Sequence, residues 1–292
     1  QCRIVLVLVV RMRVLFLLTL RKHNNLMADN NGMMSGKRGI IMGVANERSI
    51  AWGIARALAA AGAEIAFTYQ GEAFEKRLKP LAASIGSNTV LQCDVNEDGS
   101  LQLVFDRLAK DWSSIDFVVH SVAYSDKDEL NGRYVDTTAN NFAQTMNISC
   151  FSFTAAAKAA YPLMKENGGS MITLTYYGAE RVLPNYNVMG VAKAALEASV
   201  RYLAADLGPD GIRVNALSAG PMRTLAGSAI GNARKIYNIS KANSPLRQAV
   251  TLEQLGGTAL YLLSDMGGGV TGETHHVDAG YNIVGMPYLT ND

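Results

Sequence analysis

Short apolar runs alternate with segments of helical periodicity from Lys37 onward, and this alternation constrains the fold more than any other feature. The runs contain few polar residues, which is typical of strands buried on both faces of a parallel sheet. Parallel neighbours need crossover connections, and the intervening helices supply them with a right-handed path. The pattern therefore predicts an α/β fold with a doubly wound parallel sheet and helices on both faces.

We find no composition break or internal repeat in this pattern, which predicts one Rossmann-type domain over residues 35–288 with about seven strands. The predicted strands are residues 39–44, 64–69, 89–93, 116–120, 170–175, 212–217 and 269–277. The predicted helices are residues 50–61, 72–85, 101–112, 140–164, 188–207 and 252–263.

Residues 221–245 interrupt the alternation. The segment is rich in Gly, Ala, Ser and Asn, and its helical periodicity is weak. A long, weakly patterned segment between a strand end and a helix predicts a lid over a substrate site, and a plain surface loop is the alternative.

The amino-terminal 26 residues differ from the rest of the chain. Two apolar runs, residues 4–10 and 14–20, are each too short to span a bilayer, and Arg11 and Arg13 lie between them. A polar segment resembling a cytosolic start begins at Met27. We therefore expect an extension outside the fold, bounded at residue 34, with a targeting peptide as the alternative.

Charge and cysteine content exclude several classes of function. The net charge is +2 without a cationic block inside the domain, which argues against nucleic-acid binding. The three cysteines are scattered and lack metal-ligand spacing, so we expect reduced thiols, no metal site and a cytoplasmic location. We expect no membrane association.

The turn after the first strand has features of a phosphate-binding loop but does not read GxGxxG. Gly43 can make the tight turn, and Ser49 can cap the following helix and offer a hydroxyl and an amide to a pyrophosphate. Gly53 would let that helix pack closely on the sheet. Because glycine after a strand is common, the turn is weak evidence on its own.

Polar and small residues follow the next strands. Gln70 ends the second strand, where an acidic residue usually marks NAD binding, so NADH and NADPH both stay open from this position. Asp94 follows the third strand and can accept from an adenine amino group, or it can simply cap the loop. Ser121 and Val122 follow the fourth strand, as expected where a cofactor passes close to the backbone.

Tyr186 and Lys193 are seven residues apart. In a helix this spacing is two turns, about 10 Å along one face. A phenol can donate to a developing oxyanion, and a nearby ammonium would lower the pKa of that phenol. The alternative is a half-buried tyrosine and a solvated lysine on an ordinary helix.

Three segments together carry a family resemblance. Residues 175–194, the turn at 43–53 and residues 213–221 closely resemble the bacterial enoyl-acyl-carrier-protein reductases, a divergent branch of the short-chain dehydrogenase/reductase superfamily. The similarity extends over about residues 35–286. Most members of the superfamily have Tyr-x3-Lys, whereas Tyr186 is followed by Gly190 at that spacing and by Lys193 three residues later.

The resemblance implies a role for individual residues. Tyr186 matches the catalytic tyrosine, Lys193 the lysine that bonds the nicotinamide ribose, and Tyr176 a second tyrosine of the acyl site, although Tyr176 could also be an ordinary buried strand-end residue. The implied cofactor contacts are Gly43, Ser49, Ile50, Gln70, Asp94, Val95, Ser121, Val122, Lys193, Met222, Thr224 and Ala226. The implied substrate contacts are Tyr124, Ser125, Tyr176 and Met189, and an apolar slot for the acyl chain would add Pro221, Met222, Ile230 and Ile236.

The resemblance also implies NADH as cofactor, acyl carrier protein as partner and a homotetramer. The implied reaction is reduction of the trans-2 double bond of an enoyl thioester during fatty-acid elongation. Two alternatives remain: a reductase of ketones or ketoacyl thioesters, and a silent dinucleotide-sensing protein. The first usually has a serine where this chain has Tyr176, and the second usually lacks the tyrosine or the lysine.

Overall fold

Seven strands, all paired in parallel, form one sheet in the computed structural model, which describes residues 32–228 and 232–286. They are β1 (Arg38–Met42), β2 (Glu64–Tyr69), β3 (Thr89–Gln92), β4 (Phe117–His120), β5 (Gly169–Thr175), β6 (Ile212–Ala219) and β7 (Thr274–Val277). Their order across the sheet is β3-β2-β1-β4-β5-β6-β7. Strands are added in one direction from β1 to β3 and in the other from β4 to β7, which confirms the predicted doubly wound topology.

The helices connect successive strands. They are α1 (Ile50–Ala60), α2 (Glu72–Ser84), α3 (Ser100–Asp111), α4 (Ala139–Met146), α5 (Ser152–Met164), α6 (Asn187–Leu207), α7 (Leu225–Ser228), α8 (Ala233–Asn243) and α9 (Leu252–Leu263). The predicted lid contains α7 and α8, and its Ile230 lies outside the described residues.

Most predicted bounds agree with the structure within two residues, and two elements need comment. The helical stretch predicted over 140–164 is confirmed, but a π-helical turn at Asn147–Phe151 divides it into α4 and α5. The last predicted strand, 269–277, begins only at Thr274, because the chain before it turns at Gly272 with φ of +78°. Sequence periodicity changes little when one helical turn widens, so the pattern did not reveal the π turn.

The core has two halves, one on each face of the sheet. Ile41 of β1 lies in the half covered by α1, α2 and α9, whereas its neighbour Ile40 lies in the half covered by α3, α5 and α6. Successive residues of a strand point to opposite faces, so both must be apolar when both faces are covered. This double burial explains the apolar runs of the sequence.

The domain begins earlier than the predicted boundary at residue 35. Met34 is fully buried in the core, and its amide donates to the carbonyl of Ala61 at 2.9 Å. The predicted extension of 1–34 is therefore too long by at least this residue, and its residues 1–31 lie outside the described part. Among the described residues, no helix combines the length and apolarity needed to cross a membrane.

Two glycines bring α1 and α9 into close contact. A Cβ at Gly53 would lie 2.8 Å from Cβ of Leu252, and one at Gly256 would lie 2.8 Å from both Cβ of Ala57 and the carbonyl oxygen of Gly53. Gly53 therefore serves contact between two helices, and the prediction that it packs its helix on the sheet is wrong.

Adjacent glycines of α9 give a matched test of this contact. Gly256→Ala should lower the free energy of unfolding by about 1–3 kcal/mol, because the added methyl group overpacks the α1–α9 interface. Gly257→Ala should instead raise it by roughly 0.5–1 kcal/mol, since a Cβ there has nothing within 4 Å and alanine favours the helix. Urea denaturation of both variants checks the opposite signs, and equal effects would contradict the close contact.

Candidate active site

The predicted cofactor residues lie beyond the carboxyl ends of the parallel strands, at one edge of the sheet. The closest backbone approach is at the switch point, where Gly43 follows β1 and Ser121 follows β4. Gly43 has φ of +92°, and a Cβ there would collide with the carbonyl of Ser121. Only glycine meets both conditions without strain.

Ser49 organises the turn in a different way from the prediction. It precedes α1, but its side chain does not cap the first-turn amides of that helix. Its Oγ instead accepts from the amides of Ala45 at 3.0 Å and Asn46 at 3.1 Å. The serine thus folds the loop back on itself, and the helix amino terminus that starts at Ile50 faces the edge with its positive dipole end.

Gln70 and Asp94 lie side by side beyond β2 and β3. Nε2 of Gln70 donates to Oδ2 of Asp94 at 2.9 Å, and Oδ1 of Asp94 accepts from the amide of Asn96 at 2.9 Å. Asp94 is therefore a loop cap, as its alternative interpretation held, and it also holds Gln70 in place. Val95 follows and packs, partly buried, on the core.

The segment after β4 is tied down by polar contacts. The backbone of Tyr124 is held on both sides by Oγ of Ser149, while its ring is about half exposed. Oγ of Ser125 accepts from Oγ1 of Thr145 at 2.8 Å. Val122 is half-buried against the core. These contacts fix the loop next to the π-helical turn.

Tyr186 is almost fully buried beside Tyr176. The two rings meet edge to face, with centroids 5.2 Å apart and planes at 81°. The backbone of Gly178 lies against the ring of Tyr186, and a Cβ there would collide with it. Met189 is buried in the same small apolar cluster, together with Leu130.

Tyr186 is the N-cap residue immediately before α6, and its carbonyl accepts from the amides of Met189 and Gly190 at the start of that helix. Lys193 lies within α6 and is 6% exposed, and its Nζ donates to the carbonyl of Leu174 at 2.8 Å. Leu174 is the penultimate residue of β5 and lies two residues before Tyr176, so Lys193 is bonded to the strand end that leads to that tyrosine.

The predicted lowering of the pKa of Tyr186 is wrong, because the net shift is upward. Burial raises the pKa of Tyr186 well above its usual range, and Tyr176 and Glu197 raise it further. Burial also raises the pKa of Tyr176 to about 12. Burial lowers the pKa of Lys193 to about 8. Desolvation, which disfavours the charged form, is the largest cause of each of these shifts.

The lid and the turn after β1 enclose a pocket of about 330 Å³. Met222 and Thr224 line it from the lid, and Oγ1 of Thr224 accepts from the amide of Gly227 at 2.9 Å. Ala226 lies within α7, and its side chain is outside the described part. Three arginines missed by the sequence reasoning also line this pocket: Arg48, Arg223 and Arg234.

Comparisons with known proteins agree with this geometry. The family model of enoyl-acyl-carrier-protein reductases matches residues 43–282. The chain is 64% identical over 259 residues to enoyl-acyl-carrier-protein reductase (NADH) 2 of Rhizobium meliloti, covering 89% of this chain and 96% of that protein.

The chain belongs to the enoyl-acyl-carrier-protein reductase family. An NADH-dependent member from Rickettsia felis is 53% identical over 258 residues, covering 88% of this chain and 99% of that protein. The solved reductase of Anaplasma phagocytophilum in complex with NAD has a TM-score of 0.86 and 59% identity, covering 89% of this chain and 98% of that chain.

The strand edge of this reductase fits a dinucleotide. Gly43 lets the backbones of β1 and β4 approach closely at the switch point, and the amino terminus of α1 can face a pyrophosphate. The neutral amide of Gln70 lies beyond β2, where it can accept from a ribose hydroxyl. The carboxylate of Asp94 lies beyond β3, where it can accept from an adenine amino group. Lys193 offers a donor beyond β5.

Two further groups of the reductase site were missed by the sequence reasoning. Glu197 lies one helical turn after Lys193, a spacing that places both on one face and could have identified it. His120 is fully buried at the end of β4, where Nε2 contacts Oγ of Ser152 at 2.8 Å and Nδ1 contacts Oγ1 of Thr173 at 3.1 Å. Its burial could not be read from a single histidine.

His120 should make the reductase sensitive to acid. Burial, aided by the charge of Lys193, lowers the pKa of His120 to about 3, whereas an unfolded histidine has a pKa of about 6.5. Between these values only the unfolded chain binds the proton, so the free energy of unfolding falls as pH drops. His120→Asn should reduce that slope by up to about 1.4 kcal/mol per pH unit.

Urea denaturation across about pH 4.5 to 7.5 measures this slope. His275→Asn, a change at an exposed histidine of β7, is the matched control and should keep the wild-type slope. An unchanged slope in His120→Asn would contradict the assignment.

Proposed function

We propose that this chain reduces the trans-2 double bond of an enoyl thioester on acyl carrier protein, with NADH as hydride donor, during fatty-acid elongation. The observation that supports this proposal is the edge-to-face packing of Tyr186 on Tyr176, next to the end of β5 where the carbonyl of Leu174 accepts from Lys193. Membership of the reductase family supports the same reaction.

NADH, when bound, would supply the hydride that C3 of the substrate accepts. The C2–C3 π bond breaks, negative charge gathers on the thioester oxygen, and C2 then takes a proton that comes ultimately from solvent. Donors aimed at that oxygen stabilise the charge as it develops. Tyr186 donates to it, and Lys193 holds the nicotinamide ribose beside it.

The high pKa of Tyr186 suits this role. Because burial disfavours the phenolate, the hydroxyl keeps its proton over the whole working range of pH. The neutral side chain can therefore donate a hydrogen bond to the substrate without first gaining or losing a proton. Tyr176, packed edge to face on it, seats the thioester and excludes water.

The remaining cofactor and substrate contacts are part of the proposal. Their support is their position along the edge and around the lid. The proposed cofactor contacts are Gly43, Ser49, Ile50, Gln70, Asp94, Val95, Ser121, Val122, Met222, Thr224 and Ala226. The proposed substrate contacts are Tyr124, Ser125, Tyr176 and Met189.

A carrier-bound substrate is supported by the charge of the lid region. Residues 220–252 contain five arginine and lysine residues without an aspartate or glutamate: Arg223, Arg234, Lys235, Lys241 and Arg247. The arm that joins an acyl chain to its carrier contains a phosphodiester, so a cationic rim beside the lid would attract it.

A homotetramer in the cytoplasm completes the proposal. Large apolar side chains of Phe151 and Tyr202 are 59% and 81% exposed on the α5–α6 side, as a subunit interface would require. Cys93 and Cys150 are free and buried, which agrees with a reducing compartment. Light scattering of the purified protein measures the assembly.

One assay distinguishes the candidate functions. The protein is mixed with NADH and a crotonyl or longer enoyl thioester, and loss of reduced-nicotinamide absorbance is followed. Turnover on enoyl thioesters supports the proposal. Turnover only on ketoacyl thioesters would instead indicate the alternative, a reductase of ketones or ketoacyl thioesters. NADH binding without turnover on either substrate would indicate a dinucleotide sensor.

Tyr186→Phe should lower kcat on enoyl thioesters by roughly 10²–10³-fold, because one oxyanion donor is lost while the ring still fills its pocket. NADH affinity should stay unchanged. Tyr177→Phe is the matched control: this neighbouring tyrosine packs on Tyr281 and should keep wild-type turnover. Equal losses in both variants would indicate a packing effect and contradict the donor role.

Gln70→Arg should shift the cofactor preference toward NADPH. A guanidinium beyond β2 can pair with a 2′-phosphate, and such a charge-assisted contact contributes roughly tenfold or more in kcat/KM. Steady-state kinetics with both cofactors measures the ratio. Gln102→Arg, the same change on the exposed surface of α3, should leave the ratio unchanged. A constant ratio in Gln70→Arg would show that this residue does not face the ribose.

A further inference from the structure

Glu197 is a buried carboxyl group next to the proposed ribose site. It is 8% exposed, and its Oε1 accepts from Oγ1 of Thr175 at 2.6 Å. Burying an acidic group without compensation is costly, so a buried glutamate beside a functional lysine calls for a physical role.

The end of β5 holds Glu197 and Lys193 together. The carbonyl of Leu174 accepts from Nζ of Lys193, and the hydroxyl of the next residue, Thr175, donates to Glu197. Two adjacent strand residues therefore fix two helix residues that are one turn apart. The carboxyl cannot turn away without breaking its bond to the strand that also places the lysine.

The charges in this region act on one another. Burial lowers the pKa of Lys193, while Cys150 and Glu197 raise it. Burial likewise raises the pKa of Glu197, the hydrogen bond from Thr175 lowers it, and three charged groups facing it modify it further. Those groups are Glu180 on the turn after β5, which raises it, and His276 of β7 and Arg201 of α6, which lower it.

We propose that Glu197 is a positioning residue whose negative charge keeps Lys193 in its ammonium form where the nicotinamide ribose binds. This inference rests on the proposed function, since it takes Lys193 as the ribose donor. An ammonium donates a stronger hydrogen bond than a neutral amine, so the carboxyl extends tight NADH binding to higher pH. Thr175 acts by holding the carboxylate in place.

The test is the dissociation constant of NADH as a function of pH, followed by ligand fluorescence in the full-length protein. In the wild type, affinity should fall as pH rises through about 8, where Lys193 loses its proton. Glu197→Gln keeps an acceptor for Thr175 but removes the charge. The pH at which NADH affinity has fallen by half should therefore be lower by roughly one unit, which is the shift expected when a nearby charge in a partly buried site is removed.

Two variants separate charge from packing. Thr175→Val keeps the carboxylate but removes the hydrogen bond that holds it, so the pH midpoint of its NADH affinity should lie between those of the wild type and Glu197→Gln. Glu166→Gln, the same change on an exposed glutamate, should bind NADH like the wild type. A Glu197→Gln midpoint equal to that of the wild type, with a uniform loss of affinity at all pH values, would overturn the inference.

Lys193→Arg keeps the inference testable if Glu197→Gln does not fold. A guanidinium stays charged, so the fall in affinity near pH 8 should disappear. A wild-type fall in this variant would show that another group titrates, and the inference would be wrong. Unchanged NADH affinity in Lys193→Ala would instead overturn the ribose role of the lysine itself, and with it the proposed function of that residue.

Discussion

Double burial of the central strands determines where this protein can carry out polar chemistry. Neighbouring residues such as Ile40 and Ile41 face separate halves of the core, so a functional group within a central strand has no solvent on either side. Polar groups that must meet a ligand are then found at the strand ends, and parallel pairing brings the carboxyl ends together at one end of the sheet. The order of the strands reverses between β1 and β4, and Gly43 lets their backbones approach closely at that point.

The same burial determines the chemical state of the site. Tyr186 lies in apolar surroundings and keeps its proton, whereas Lys193 lies deep enough for its pKa to come near neutral pH. A mechanism that began with a phenolate would have to overcome this desolvation. A neutral phenol avoids the cost of burying a phenolate. It donates a hydrogen bond that becomes stronger as negative charge develops on the substrate.

The sequence predicted the elements well where local signals and long-range packing agree. Helix α9 has the predicted bounds, because Thr251 and Gln254 form a capping box and the apolar periodicity ends where the helix ends. The π turn at Asn147–Phe151 was missed, since its side chains show no change of period. The strand-end rule located Gly43, Gln70 and Asp94, but their partners could not be known before the neighbouring strand was placed.

The properties of the candidate site were predicted less well where they depend on how deeply a side chain is buried. Spacing brought Tyr186 and Lys193 to attention, yet their pKa directions depend on desolvation, which a sequence does not display. Glu197 was overlooked because glutamate on a helix is ordinarily solvated, and only the packing of α6 on β5 buries it. The sequence suggested candidate roles where the type of residue is enough, as for a tyrosine that donates a hydrogen bond. It did not suggest properties that arise only from burial, such as the pKa shifts of Tyr186 and Lys193 or the position of Glu197.

The spacing of seven between Tyr186 and Lys193 has a steric basis in the fold. A lysine at the commoner spacing would occupy position 190, where glycine now lies and where a Cβ would come within 2.8 Å of the carbonyl oxygen of Gly178. The loop residue Gly178 also packs against the ring of Tyr186. Burying that ring thus requires the turn and α6 to approach closely, and this approach excludes any side chain one turn after the tyrosine. The next position on the helix that reaches the end of β5 is Lys193, so the burial of the phenol and the placement of the ammonium are one structural solution.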